Sequence, residues 1–448
     1  MSQNKLSRRI FLMGAAAAMG GCAAVRKKPS LSKLDYKSPN EKLNIAAIGC
    51  GGKGSSDIDG AAAMGDNVYA LCDPDWAKAG SKFEQYPAAK RYKDYRELLE
   101  KEGKNLDAVT ISTPDHNHAP ACMLAIRQGI HVYVQKPMVH TVYEAHALLQ
   151  AAREYGVATQ MGNQGHSGDG IRKMCEIIWS DAIGPVREVH AWTNRPIWPQ
   201  GIADPLPEEE IPETMEWDTW LGPAPYRPYN SGYAPFNWRG WYDYGTGALG
   251  DMACHILDAP NWALKLTAPT SVECIEQDTY SQQTYPNKSI IRFEFPARGT
   301  MPPVTLTWYD GGLMPPRPEG LEERDRIGDR DQRNGSLFIG DSGIATTGTY
   351  ADGSRLLPGS KMEEFKAPRQ MIPRSIGHYE EWLMACKGGL QSPGSFEYAA
   401  PFTSWILLGV IALRVPGKLY WDEEKFEFTN SKEATDLLHI HYRKGWTL

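Results

Sequence analysis

The sequence predicts an α/β fold in two parts. A doubly wound parallel sheet is expected over residues 42–162, and an α+β domain around a mostly antiparallel open sheet over 163–448. Three observations carry this expectation. From Leu43 to Gly162, short apolar runs alternate with helical patterns, as they do where a parallel sheet is flanked by helices. The first run, Leu43 to Ile48, opens into the glycine-rich turn Gly49-Cys50-Gly51-Gly52-Lys53-Gly54. Beyond Gly162 the texture changes to alternating strand patterns, separated by stretches rich in Pro, Gly and aromatic residues.

In the first part, strands are expected at 43–49, 68–73, 107–112, 131–134 and 157–161. Helices fill 53–64, 76–84, 94–102, 117–128 and 142–155, with Asp94 and Thr141 as N-caps. In the second part, a helix near 170–180 stops at Ile183-Gly184-Pro185, and Val186 to Thr193 alternate like a strand. Residues 196–246 read as a long ordered insertion, because aromatics this dense are rarely left in water. Strands return at 271–281, 288–296, 303–309, 336–340 and 343–349, with a loop over 310–335 and helices at 376–387 and 396–412.

Residues 1–28 read as an export leader and 29–41 as a polar tether. Ser7-Arg8-Arg9-Ile10-Phe11-Leu12-Met13 has the twin-arginine pattern, followed by a short apolar stretch from Gly14 to Met19. A basic leader without structure is the alternative. Gly20-Gly21-Cys22 resembles a lipoprotein cleavage site, which makes Cys22 a candidate lipid anchor, although Met19 stands where Leu is usual. The expected location is the periplasm or cell envelope. Removal of Lys5, Arg8 and Arg9 with the leader takes the formal charge from −6 to −9. A chain this acidic is not expected to bind nucleic acid. Its eight cysteines include no C-x-x-C, so buried thiols are expected in preference to a disulfide framework or a thiolate metal site.

The glycine turn, between a strand and a helix, has the form of a dinucleotide site. Gly49 permits the tight turn, Gly51 lets the backbone approach a pyrophosphate, and Gly54 lets the helix pack on the strand. Gly52 and Lys53 complete the loop at the helix N-terminus, where free N–H groups meet phosphates. Asp73 ends the next strand, placed to hold both ribose hydroxyls and to repel a 2′-phosphate, so NAD is expected over NADP. Two further strands deliver polar residues to the same sheet edge: Ser112-Thr113-Pro114-Asp115-His116-Asn117-His118 after one, and Gln135-Lys136-Pro137 after the other. Asp251 and His255 lie one helical turn apart on one face.

Those three segments, with the glycine turn, resemble the Gfo/Idh/MocA oxidoreductases, the sugar and inositol dehydrogenases. The resemblance covers essentially the whole mature chain and rests on the S-T-P-x-x-x-H turn, the K-P dipeptide and the D-x-x-x-H helix, in that order. It implies that Lys136 and His255 lie beside the nicotinamide and handle the proton of the oxidised alcohol, with Asp251 orienting the substrate or the histidine. It also implies cofactor contacts from Thr113, Pro114, His118 and Lys136, and a homo-oligomer formed through the second sheet. A histidine near its ordinary pKa suits the base, and a lysine beside the substrate oxygen suits developing alkoxide charge. The usual E-K-P of the family is here Gln135-Lys136-Pro137, which removes a carboxylate partner of the lysine.

Each residue also has a plainer reading. The alternative for Lys136 is a solvated surface lysine, for His255 a core histidine, and for Asp251 a helix cap. His116 and His118 form an H-x-H pair, but no third ligand has metal-site spacing, so no metal is expected. Gln164 and His166 sit where the second part begins, a usual place for a cleft, and are substrate candidates. Arg195, Trp238 and Tyr242 of the aromatic stretch are candidates for stacking on sugar faces, with an aromatic core as the alternative. The function expected is an exported, NAD-dependent oxidoreductase acting on a hydroxyl of a sugar, glycoside or sugar derivative, with NAD tightly bound because no free pool exists outside the cell. The alternative is an NAD-dependent glycoside hydrolase using transient C3 oxidation, elimination and water addition. Lys136 before Pro137 separates the chain from the best-known glycosidase branch, which carries a non-lysine residue there. A sugar-binding protein without catalysis is a third reading, opposed by the intact glycine turn, Lys136 and His255.

Overall fold

The computed structural model describes residues 37–38, 40–366 and 370–448. The leader, Cys22 and the tether as far as Tyr36 lie outside them. Six parallel strands form the first sheet: β1 (Asn44–Ile48), β2 (Asn67–Cys72), β3 (Lys90–Tyr92), β4 (Ala108–Ile111), β5 (His131–Val134) and β6 (Thr159–Met161). Their order is β3-β2-β1-β4-β5-β6, so the winding reverses between β1 and β4. A ligand crevice forms outside the carboxyl ends of the strands at such a reversal. Helices α1 (Lys53–Ala62), α2 (Trp76–Gln85), α3 (Tyr95–Glu102), α4 (His118–Ile126) and α5 (Val142–Tyr155) connect the strands. Both expected caps are present. Asp94 accepts from the Arg96 amide, and Thr141 forms a capping box with Glu144.

The second sheet is built from β7 (Val186–Trp192), β8 (Ser271–Gln277), β9 (Ser289–Phe295), β10 (Val304–Tyr309), β11 (Gly335–Gly340), β12 (Ile344–Thr347), β13 (Arg355–Leu357), β14 (Leu419–Asp422) and β15 (Glu427–Phe428). Its order is β13-β12-β11-β7-β10-β9-β8-β14-β15, antiparallel except where β7 runs parallel to β10. The accompanying helices are α6 (Asp169–Trp179), α7 (Trp217–Leu221), α8 (Gly247–Ile256), α9 (Asp258–Ala263), α10 (Gly359–Glu364), α11 (His378–Cys386), α12 (Phe396–Ala412) and α13 (Lys432–Asp436). Strands β3, β13, β14 and β15 lay outside the sequence expectation, as did the short helices α7, α9, α10 and α13.

Alternation on β9 aims Ile291, Phe293 and Phe295 inward while Arg292 is exposed. The ring of Trp405 on α12 meets Phe293 and Phe295 edge-on, at 5.3 and 5.2 Å. This helix is apolar all round, as a helix enclosed by other elements must be, and it packs against α5, α8 and β8. Helix α11 instead returns to the first sheet. Its Trp382, Leu383, Ala385 and Cys386 share one cluster with Ile45, Ala47, Leu71 and Tyr133.

The stretch expected as an ordered insertion has its own core, including Trp217, Trp220, Tyr229, Tyr233, Trp238, Trp241 and Tyr244. Trp217 and Trp220 stack at 4.7 Å, and Tyr233 meets Trp241 edge-on at the same distance. The described cysteines are all free thiols, and all but Cys274 are buried. Among the described residues, no helix is long and apolar enough to cross a membrane.

Candidate active site

A cavity of about 410 Å³ lies along the carboxyl edge of the first sheet. The glycine turn, Asp73, Thr113, Pro114, Asp115, Lys136, Asp251 and residues of the aromatic insertion line it. Its glycine wall fits a dinucleotide on steric grounds. A Cβ on Gly54 would stand 1.7 Å from the Gly49 carbonyl oxygen, so the helix could not approach the strand with any other residue there. Gly49 has φ +77° and backs directly on Ser112. Gly52, at the N-cap of α1, supplies no capping side chain, which leaves the first turn to an anion. Asp73 Oδ2 accepts from the Gly51 amide (2.9 Å) and Oδ1 from the Asp75 amide (3.0 Å). Burial raises the Asp73 pKa to about 6.

Lys136 follows β5, three strand spacings from the strand that carries Asp73, about 14 Å at the usual inter-strand distance. Its Nζ donates to the Asp251 carbonyl oxygen and to Asp251 Oδ1, both at 2.8 Å. Arg239 Nε donates to the same Oδ1 at 3.2 Å. Burial alone would raise the Asp251 pKa, but Lys136 and Arg239 outweigh it and hold the carboxyl at about 2. Asp251 therefore acts as the lysine's carboxylate partner and stands in the interior of α8, whose N-cap is Thr246. The helix-cap reading is excluded. Nearby, buried Asp115 accepts from Thr246 Oγ1 at 2.8 Å, and burial raises its pKa to about 7.

His255 is buried with its ring edge-on to Tyr350 at 4.8 Å. Its Nδ1 lies 2.9 Å from Asn163 Oδ1, and the Asn163 amide donates to Asp258 Oδ2 at 2.8 Å. Asn163, not Asp251, holds the histidine, which corrects one of the roles expected for Asp251. The expectation of a near-ordinary pKa also fails. Burial, reinforced by the Lys136 cation, lowers the His255 pKa to about 3.

Gln135, in place of the family's glutamate, donates through Nε2 to Asp57 Oδ2 at 2.9 Å. Fully buried Asp57 also accepts from Lys53 Nζ (2.5 Å), Ser112 Oγ (2.8 Å) and the Tyr379 hydroxyl (2.8 Å). A carboxylate thus remains behind the lysine strand, supplied by α1.

The remaining sequence candidates divide. Thr113, Pro114 and Trp238 line the cavity. His118 does not; its ring nitrogens lie 2.8 Å from the Pro137 and Thr113 carbonyl oxygens, so it braces two cavity loops from behind. Burial lowers its pKa to about 4. The His116 ring is likewise held between the Tyr244 and Trp220 carbonyls, so both histidines of the H-x-H pair are structural. Gln164 Oε1 accepts from Lys53 Nζ at 3.3 Å, behind the glycine turn. His166 stacks on Trp262 at 4.4 Å with Nδ1 on Asp258. Arg195 and Tyr242 lie away from the cavity wall: Arg195 bonds Asn194, and buried Tyr242 packs between Tyr285 and Arg414. Tyr242 matched a sugar site by residue type, but the fold buries it as framework. Arg239, Asn163, Asp258 and Asp57 were missed by sequence reasoning. One had a signal, since Asp57 is four residues after Lys53, a spacing that shares a helix face.

A doubly wound sheet with a glycine cradle and a terminal acid at one end, and a half-buried lysine–aspartate pair at the other with a buried histidine one turn further along the same helix, has the form of a nicotinamide-dependent oxidoreductase. Residues 43–163 match the NAD-binding Rossmann domain of the GFO/IDH/MocA oxidoreductase family, and residues 186–295 match its C-terminal alpha/beta domain. The chain belongs to this family.

The WlbA dehydrogenase of Bordetella pertussis, solved with NADH and UDP-GlcNAcA, has a similar fold. Its TM-score is 0.58 at 16% identity, covering 85% of this chain and 99% of that one. The aldose-aldose oxidoreductase of Caulobacter crescentus, solved with glycerol, gives 0.56 at 17% identity, covering 85% and 100%. By sequence, a glycosyl hydrolase family 109 protein of Solibacter usitatus is 30% identical over 165 residues, 33% of this chain and 37% of its own. An alpha-N-acetylgalactosaminidase of Shewanella oneidensis is 29% identical over 173 residues, with the same two coverages. The chain thus spans little more than a third of the length of these relatives.

Proposed function

We propose that this chain is an exported enzyme that oxidises a hydroxyl of a sugar, glycoside or sugar derivative with NAD that it retains. The observation that carries this reading is the cluster of Lys136, Asp251 and Arg239 at the cavity wall, backed by His255. Bound NAD supplies the hydride acceptor. Lys136 Nζ stabilises negative charge on the substrate oxygen, held in place by ionised Asp251. His255 enters as a neutral imidazole and takes the hydroxyl proton. Because its conjugate acid is strong, that proton is readily returned, which suits a cofactor reduced by the sugar and reoxidised in place by a second carbonyl substrate or by the ketone just formed. Trp238 and Phe236 offer flat apolar faces to sugar C–H surfaces, while Arg239 and Asp115 match hydroxyl groups.

If Lys136 and His255 manage one proton, each alanine variant should fold and retain NAD, yet turn over at least about a hundredfold more slowly, in line with general acid–base contributions of about 10²–10⁴. The double variant should be little worse than the poorer single one. Near-normal turnover by His255→Ala on its true substrate would place the base elsewhere.

A second reading, glycoside cleavage through transient oxidation, is supported by the glycosidase names of the partial relatives. The two readings part on products. A panel of glycosides should yield either an oxidised sugar with a changed nicotinamide spectrum, or a free aglycone with no net redox change.

The sequence supports export by the twin-arginine route, with Cys22 as a lipid anchor and pairing of copies through the open face of the second sheet. Replacing Arg8 and Arg9 by Lys should strand the precursor in the cytoplasm, and unaffected export would remove that part of the proposal.

A further inference from the structure

We propose that Asn163 and Asp258 act as positioning residues that fix His255 as its Nδ1–H tautomer, leaving Nε2 as the bare nitrogen that handles the proton. The inference rests on the reading of His255 as the base, but the protonation pattern is measurable without turnover.

The argument starts at Asp258, which is 1% exposed at the start of α9. A buried carboxylate persists only where donors surround it. Asp258 has three: the Asn163 amide (2.8 Å), His166 Nδ1 (3.0 Å) and the Tyr398 hydroxyl. Were the Asn163 side chain turned over, its carbonyl oxygen would face a carboxylate oxygen with no proton between them. The amide nitrogen therefore faces Asp258, and Oδ1 faces His255. The loop has little freedom to rearrange, because the Asn163 N–H donates to the Met161 carbonyl (2.8 Å) and its carbonyl accepts from the His166 N–H (3.0 Å).

A carbonyl oxygen only accepts, so the 2.9 Å contact to His255 requires a proton on Nδ1. A neutral imidazole carries one N–H, and Nε2 keeps its lone pair. Among the described residues, Nε2 has no hydrogen-bond partner. The charged and titratable groups around the ring are Lys136, Asp251, Lys53 and His378, with Tyr350 packed edge-on, and none of them bonds a ring nitrogen. An amide between carboxylate and ring also differs from a carboxylate placed directly on it. It fixes orientation without setting a negative charge on the imidazole, so the ring stays neutral beside Lys136.

The test uses the full chain loaded with NAD and carrying ¹⁵N-labelled histidine, with the His255 signals assigned by their loss in His255→Asn. The expected spectrum shows a protonated Nδ1 and an unprotonated Nε2 from about pH 6 to 8, where an ordinary histidine would titrate. An Nε2–H signal, or an imidazolium in that range, overturns the proposal.

In Asn163→Leu, no carbonyl holds the proton on Nδ1. An Nε2–H signal should then appear, and kcat should fall at unchanged KM and NAD content. A variant with the wild-type ring pattern would show that Asn163 does not set the tautomer. Should this variant fail to fold, the wild-type spectrum decides alone. The expected spectrum together with full activity in His255→Ala would remove the base assignment and leave the tautomer standing.

Discussion

The carboxylate of Asp73 closes the second strand with one oxygen on the Gly51 amide and the other on that of Asp75. Burial raises its pKa to about 6, so the folded chain holds a proton there that the unfolded chain has already released. This burial therefore costs stability as pH rises from the ordinary carboxylate range through about 6. Ribose hydroxyls donate to the ionised form and favour it, whereas a 2′-phosphate meets the same charge with repulsion. NAD affinity should accordingly strengthen as pH rises through about 6, and the preference for NAD over NADP should narrow below it. Titrations of both dinucleotides near pH 5 and pH 8 check this; a preference independent of pH would remove Asp73 as the discriminating charge. Lys136 shows another economy at this scale. Its partner is carried on α8, while Asp57 on α1 restores a carboxylate behind the Gln135 strand.

Helix α11 is the element whose place the sequence hides best. Its extent was legible, but the sheet that receives it lies far earlier in the chain. Trp382 is fully buried, with its ring 5.5 Å from that of Tyr133 on β5. Trp382→Ala should cost roughly 3–5 kcal/mol, as large-to-small core substitutions of this kind do. Denaturant unfolding measures it, and a loss under about 1 kcal/mol would show that the helix is dispensable to that core. The same contrast separates what was readable in the site from what was not. The glycine turn, Lys136-Pro137 and Asp251 with His255 are local signatures, complete within a few residues. The bonds from Asn163 to His255 and Asp258, or from Arg239 to Asp251, join segments whose meeting only the packed sheets decide. Strand β3 is three residues, Lys90-Arg91-Tyr92, with no buried face to impose an alternation, so no periodicity marked it. Tyr242 is the opposite case: its residue type suited a sugar site, but it is buried between Tyr285 and Arg414.

Across the whole molecule, α12 runs against α5, α8 and β8, joining elements of the two sheets through one enclosed apolar helix. The second sheet's other face exposes Glu188 and Arg292 on β7 and β9, beside an apolar cluster of Trp192, Tyr309, Leu337 and Leu357. Pairing of copies through that face predicts a dimer or larger assembly in solution, since one open face of a large antiparallel sheet is a common site of association. Light scattering at working concentration decides it. A particle of 49.9 kDa, the mass of one chain, would remove the pairing proposal.

On the ribosome, the first sheet is complete long before the helix that covers part of it. Met161 leaves the peptidyl-transferase centre about 220 codons ahead of Trp382, an interval of about 10–45 s at about 5–20 residues per second. Collapse of the emerged segment is far faster than that. The nascent chain therefore spends about half of its synthesis with the surface awaiting Trp382 and Leu383 exposed, where a holdase chaperone, or another nascent chain, competes for it.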